Sequence, residues 1–342
     1  MTRLLVAALA CLGALLPVES RGQDGRRTFV RVRWDSVGAV SDSADAPRLL
    51  NPQLVAAWNG DSAVVVDYGD WSIKAFDRRG RQLWKYGRRG AGPGEFGGIG
   101  SLSIGPSGLV WVADRGNARL YALSRDGVLR SAITLRQTPE EVLQLGDSVL
   151  IVWFPLDSAL SALGLDGRRL IRRLSLPPAA RAAHVIVRGS LKLTAVDREA
   201  VAIAFLYSSS LGRLSLTGRS MAATGIDSVP FPGPKQWFTA PRTGRIGPDP
   251  LAPRTVAALA SDGHRLFALS AGLVADRQVS ARGGDDASDV IDVYSARTLE
   301  YLGSWKLPIT AQSMAWADGT LVLLSREPEP RLTFWRVRET AR

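Results

Sequence analysis

The sequence predicts an all-β fold, a six-bladed β-propeller closed by an N-terminal strand that completes the last blade. Three observations predict it. Tight polar turns stand before apolar runs at six places: Asn59–Asp61, Pro106–Gly108, Leu145–Asp147, Asp197–Glu199, Ser261–Gly263 and Ala317–Gly319. A second turn series carries Gly80, Gly127, Gly167 and Gly218, at intervals of 47, 40 and 51 residues, which are blade-length periods. Finally, Thr28–Trp34 is an alternating strand with no local partner, while the last repeat is one strand short. Pairing the two would join the ends of the chain and leave no open sheet edge in the ring.

Each blade follows from its pattern. The runs after the first turn series (Ala63–Val66, Leu109–Ala113, Val149–Phe154, Ala200–Phe205, Leu266–Leu269 and Leu321–Leu324) are nearly all apolar, as strands buried on both faces are. The third strands, such as Ser72–Phe76 and Arg119–Leu123, alternate more and are expected nearer the rim. The predicted blades span about 50–87, 97–135, 139–176, 190–224, 255–307, and 311–338 with strand 28–34, all in one domain over 23–342. No long amphipathic helix is expected.

The richest stretch is Tyr86–Thr134. Gly92-Pro93-Gly94-Glu95-Phe96 followed by Gly108-Leu109-Val110-Trp111-Val112-Ala113-Asp114-Arg115-Gly116-Asn117-Ala118-Arg119-Leu120 resembles an NHL-type β-propeller repeat, with weaker echoes in other blades. The resemblance implies a mainly structural role for the Asp114–Arg119 turn. Asp67-Tyr68-Gly69-Asp70-Trp71 is its counterpart in blade one.

Residues 1–22 read as a secretory signal. Arg3 is followed by the apolar run Leu4–Leu16 and then by small residues near Pro17–Gly22. The run is short of the ~20 residues that span a bilayer, so a membrane anchor is the lesser alternative and no transmembrane segment is expected in the mature chain. Cys11 is the only cysteine. It sits in a weak lipoprotein-like context, so anchoring through it stays open; if it is removed, the mature chain has no thiol. Export to the periplasm or beyond follows, which argues against a nucleic-acid partner. The net charge of +11 becomes +10 without Arg3, Glu19 and Arg21. The arginines occur singly or in pairs, several at turns, and are read as scattered solvated charge.

Loop lengths are unequal. First-to-second and third-to-fourth turns share one face and are short. All long segments lie on the other face: Asp35–Leu50, Arg88–Gly98, Pro177–Ser190, Gly225–Pro253, Ala271–Ser288 and Arg326–Pro330. Variable loops on a rigid scaffold are where binding usually resides, so the working surface is expected there. The candidate ligand residues are Asp70, Trp71, Arg115, Asn117, Trp237, Arg242 and Arg245, aromatic rings beside cations and polar turn groups. The alternative for Trp237 and its neighbours is a loop packed over the channel end.

The leading function is an exported, non-enzymatic binding module for a protein or a polar, anionic envelope ligand. A monomer with no cofactor is expected. The rival is a metal-assisted hydrolase, like the lactonases among propellers of this kind, with its site at the channel mouth. Glu95, Asp114, Asn117 and Asp157 would be its ligands. Separately, the Gly283-Gly284-Asp285-Asp286 tip of the Ala271–Ser288 loop could ligate calcium, though a solvated loop is the alternative and its spacing is not that of an EF-hand. His184 and His264 are isolated, and no HExxH, P-loop, dinucleotide or GxSxG motif is present.

Overall fold

The computed structural model describes residues 27–41, 49–156, 159–174, 191–205, 208–217, 220–228, 237–239, 246–248, 256–270, 273–274, 277–278 and 287–339. They form six four-stranded antiparallel sheets and three two-stranded ladders, with no helix among the described residues. The six sheets are the blades of a propeller. Residues 1–22, His184, Asp157, Arg242 and Arg245 lie outside the described residues.

Blade one consists of Pro52–Asn59, Ser62–Asp67, Ser72–Asp77 and Gln82–Tyr86. Blade two consists of Ile99–Ile104, Val110–Asp114, Arg119–Leu123 and Leu129–Thr134. Blade three holds Glu141–Leu145, Val149–Phe154, Ala159–Gly164 and Arg169–Leu174, and blade four holds Leu191–Ala195, Ala200–Phe205, Ser208–Thr217 and Ser220–Ser228. Blade five is Val256–Ser261, Arg265–Ser270, Ser288–Ser295 and Tyr301–Ala311. Blade six takes Ser313–Ala317, Thr320–Ser325 and Arg331–Glu339 from the end of the chain and Val32–Ser41 from its beginning.

Burial between blades holds the ring together. Six apolar clusters fill the six wedges, one per pair of neighbours, including that between blades six and one, where Val40 and Phe334 meet Val55 and Val65. The turn glycines let blades approach closely. Gly127 has φ +81°, and a Cβ there would lie 2.6 Å from the ring of Trp84 in the preceding blade.

The structure changes four expectations. The closing strand is Val32–Ser41 rather than 28–34, so the first part of the expected Asp35–Leu50 loop, through Ser41, is strand. Residues 28–30 instead lie beside the outer strand of blade five: Phe29 bridges Ser304 in parallel, Val30 N donates to Ser304 O at 2.9 Å, and Ser304 N donates to Thr28 O at 2.8 Å. Gly303 permits this contact, since a Cβ there would meet Val30 at 2.7 Å. Arg27 completes the strap by pairing with the buried Asp292 at 2.9 Å, where Ser270 and Ser304 also donate.

Third strands, expected nearer the rim, are buried almost throughout in Ser72–Asp77, Arg119–Leu123 and Ser288–Ser295. Their polar residues are ion-paired inside the wedge, as Lys74 and Asp292 are. In blade four the last strand runs to Ser228, into the expected Gly225–Pro253 insertion. That insertion also carries a small hairpin, Trp237–Thr239 with Ile246–Pro248. Finally, blade five extends to Ala311, so its link to blade six is the single residue Gln312.

Candidate functional site

Two homologous turns on the long-loop face build the best-defined polar site among the described residues. Each begins with an aspartate at the end of a second strand. Asp67 is fully buried; its carboxylate accepts from the backbone N–H of Leu50 and Asn51 at 2.8 Å and of Gly69 at 2.9 Å. Asp114, also fully buried, accepts from the N–H of Gly97 at 3.1 Å, Gly98 at 3.0 Å and Asn117 at 3.3 Å. Each aspartate therefore ties the incoming interblade link to its own blade, replacing the water that buried N–H groups lose.

From this common base the turns diverge. In blade two, Asn117 turns inward: its amide donates to Asp114 at 2.8 Å and to Gly90 O at 2.9 Å. Arg119 donates to Ala91 O at 2.9 Å. These bonds pin the Arg88–Gly98 link, so Asn117 is a structural clamp. In blade one, the buried Lys74 sits between Asp67 at 2.7 Å and Asp70 at 2.9 Å, and Lys85 also reaches Asp70 at 2.9 Å. Burial by itself would raise the Asp70 pKa, but bonds from Ser72, Lys85 and Lys74 outweigh it and hold the carboxyl at about 2.

Trp71 follows with φ +55°, a left-handed backbone that bulky residues rarely adopt. Its ring lies edge-on to Tyr68 with centroids 5.1 Å apart, and the Arg89 guanidinium sits 4.9 Å from the ring centroid. Tyr68 donates its hydroxyl to Ile99 O at the start of blade two. Arg115 pairs with Glu140 at 3.0 Å, and its charge, with that of Glu140, acts on the Tyr68 phenol, whose pKa burial raises. A patch of Tyr68, Asp70, Trp71, Arg89 and Arg115 thus spans the blade one–blade two boundary, continued by Glu140 at the entry to blade three. Exposed Leu50 and Leu156 lie on the same face.

The structure brings three of the expected ligand residues, Asp70, Trp71 and Arg115, to this patch and turns the fourth, Asn117, away. Trp237 is in the blade four–five hairpin, known here by its backbone alone. Tyr68, Arg89 and Glu140 were missed because their role depends on the interblade gap. The repeated Asp-x-Gly turn, with Tyr68 in one copy, was the available signal.

Of the expected metal ligands, Asp157 and the Gly283–Asp286 tip lie outside the described residues, and the groups of Asp114, Asn117 and Glu95 are taken up by other bonds. Asp114 is saturated by N–H donors. The Glu95 carboxylate faces Gly92 N–H and Arg88, which hold its pKa below the usual range. No group of three metal-ligating side chains occurs among the described residues.

The channel has polar walls near the same face. Glu141 of blade three pairs with Lys192 of blade four at 2.8 Å; burial pushes the Glu141 carboxyl up to about 7, with Lys192 opposing. At the opposite mouth, beneath the short turns, all six blades line a cavity of about 630 Å³. Trp58, Trp316, Gln144, His264 and Asp318 are among its walls. Its short turns give this mouth no loop-length signal in the sequence. His264 lies on a short turn as expected, and its neighbour Asp262 is bonded to Arg265.

No family model and no curated protein matches this sequence. Many solved structures do. A protein of Bacteroides fragilis classed as exported matches with TM-score 0.58 and 12% identity, over 91% of this chain and 96% of that one. The RRP9 WD40 repeats match with TM-score 0.56 and 11% identity, over 90% of this chain and 100% of theirs. Virginiamycin B lyase from Staphylococcus aureus matches with TM-score 0.52 and 12% identity, over 89% and 99%. The likeness is one of fold. No described helix is long and apolar enough to cross a membrane.

Proposed function

We propose that this chain is an exported, non-enzymatic binding propeller whose ring is a rigid platform and whose long-loop face holds a protein or a polar envelope ligand. The fold alone does not choose a function. One observation carries the reading: Trp71 occupies a left-handed backbone position where glycine would relieve strain. Such strain costs ~1–2 kcal/mol and concentrates where a side chain is kept for contact. The indole, with Arg89 stacked on it and Arg115 across the blade gap, has the aromatic and arginine chemistry of binding hot spots.

The test passes a solubilised envelope fraction over immobilised wild-type protein and over Trp71→Gly. The reading expects a partner held by the first and lost by the second while the second still melts cooperatively. A partner held equally by both overturns the assignment to this patch. A stoichiometric divalent ion found by plasma mass spectrometry of the purified protein would favour the metal-assisted hydrolase instead.

A further inference from the structure

The large exposed apolar residues of the ring are not scattered. Eight large hydrophobics stand out as exposed among the described residues, and five of them sit at one level of the outer wall. Leu83, Leu129, Leu170 and Leu302 are each the first or second residue of a fourth strand, in blades one, two, three and five, and Val128 directly precedes Leu129. They are 37–52% exposed. Phe29, 54% exposed, lies beside Ser304, two residues along from Leu302. Isolated exposed leucines need no explanation, but the same exposure repeated at one register marks an interaction surface.

Arginines stand at the same level. Arg79 and Arg81 precede Leu83, Arg130 follows Leu129, Arg168 precedes Leu170, and Arg297 lies in the turn before Leu302. All five are exposed. None of Arg79, Arg130, Arg168 and Arg297 makes an ion pair among those described for the ring, whereas Arg81 pairs with Asp77. On the inner turns the acidic residues are largely answered, Asp61 by Arg78, Asp147 by Arg198 and Asp262 by Arg265. The outer turns carry Asp77, paired with Arg81, and the exposed Asp126, Asp166 and Glu300, which the arginines of the same turns outnumber. The outer edge of the tight-turn face is therefore a belt of leucine with arginine in excess of carboxylate.

We propose that this belt docks the ring, tight-turn face down, on an anionic lipid bilayer. Each leucine is one or two residues from a turn, at a rise of about 3.3 Å per residue. That matches the ~5–10 Å depth to which apolar side chains enter the headgroup boundary. Arginines beside them meet the anionic headgroups, and the uniformly short turns keep this face level. Thr28–Val30 run parallel to the start of Tyr301–Ala311, from the tight-turn side upward. The long-loop face then points away from the membrane. The docking does not depend on the proposed partner site, and either can fail alone.

The test is vesicle co-sedimentation of the chain from Gln23, a truncation that removes none of the contacts described for the ring, with the full chain in parallel. Vesicles of equal parts phosphatidylglycerol and phosphatidylcholine should pull down the protein. Phosphatidylcholine alone should not. Raising salt from about 0.01 to 0.15 M, which shortens the Debye length from ~30 to ~8 Å, should weaken binding steeply. Leu83→Ser, Leu129→Ser, Leu170→Ser and Leu302→Ser combined should reduce partition about tenfold or more at unchanged circular dichroism. If that variant does not fold, Arg79→Gln, Arg130→Gln, Arg168→Gln and Arg297→Gln combined, which touch no described ion pair, give the independent reading. Equal sedimentation with both lipids, or unchanged sedimentation of the folded variants, overturns the proposal. So does a change of oligomeric state in lipid-free solution caused by the leucine substitutions, which would make a second copy the occupant.

Discussion

The turns Asp67–Ser72 and Asp114–Arg119 start from the same aspartate anchor and reach opposite ends. In blade two Arg115 reaches across to Glu140, and the polar groups after it turn back into the protein. Asn117 and Arg119 fasten the preceding link, and Ala118, at φ +51°, offers only a methyl group. In blade one the anchor is shared with a buried lysine, the fourth residue is a lysine-clamped carboxylate, and the left-handed position carries an indole. One backbone geometry thus serves as a fastener in blade two and, in blade one, as the mount of a half-buried indole that packs against the interblade cluster and under Arg89. The difference lies in which side chain occupies each position.

The anchors should dominate stability. Asp67→Ala leaves Lys74, nine-tenths or more buried, beside three unanswered N–H groups, and breaking such a buried pair costs ~3–5 kcal/mol. Asp114→Ala exposes no buried lysine and should cost less, about 2–3 kcal/mol. Denaturant unfolding of the two variants measures the gap, and an equal loss would mean that Lys74 contributes nothing to the difference. Asn117→Ala removes two link contacts and should cost about 1 kcal/mol, while quickening amide exchange within Arg88–Gly98 and leaving blade one unchanged.

How far these features were legible depends on their range. The anchor turns could be read because Asp67 and Asp114, their glycines and the flanking strands are local, and the glycine series repeated the blade period. Closure could be read in kind but not in register. The alternation of Thr28–Trp34 is continuous, and nothing in it shows that residues 28–30 belong to the edge of blade five until Gly303 and Ser304 are beside them. Lys74 and Asp292 made the third strands look like rim strands, because a buried ion pair and an exposed one have the same letters. The arginines read as scattered for a similar reason: Arg79, Arg130 and Arg168 are far apart in sequence and share a level only once the ring is closed.

The left-handed position separates strain from contact. Ala118→Gly relieves the backbone with little packing to lose and should stabilise by ~0.5 kcal/mol after the larger unfolded-state entropy of glycine. Trp71→Gly has the same relief but loses the ring contacts to Tyr68 and Arg89 and the packing of a half-buried indole against the interblade cluster. It should therefore cost about 1–2 kcal/mol while the protein stays folded and partner capture disappears. If Trp71→Gly instead unfolds the protein, the indole is a core residue and the functional contrast between the two turns collapses.

The smallest effect is acid sensitivity. Asp70 has a folded pKa of about 2 against an ordinary value of 3.8, so the folded state favours its charged form. That contribution is present above pH ~4 and is lost as pH falls through about 2. Because the group is substantially solvated, it should amount to less than ~1 kcal/mol. Glu141 has the opposite sign: its pKa is raised from 4.5 to about 7, so the folded state binds the extra proton and stability should decline as pH rises through that window. Asp70→Asn should flatten the acid limb of a stability–pH curve and leave the slope between pH 4.5 and 7 intact, whereas Glu141→Gln should do the reverse. Loss of both slopes in either variant would show that the blade one clamp and the channel wall titrate as one network rather than as separate sites.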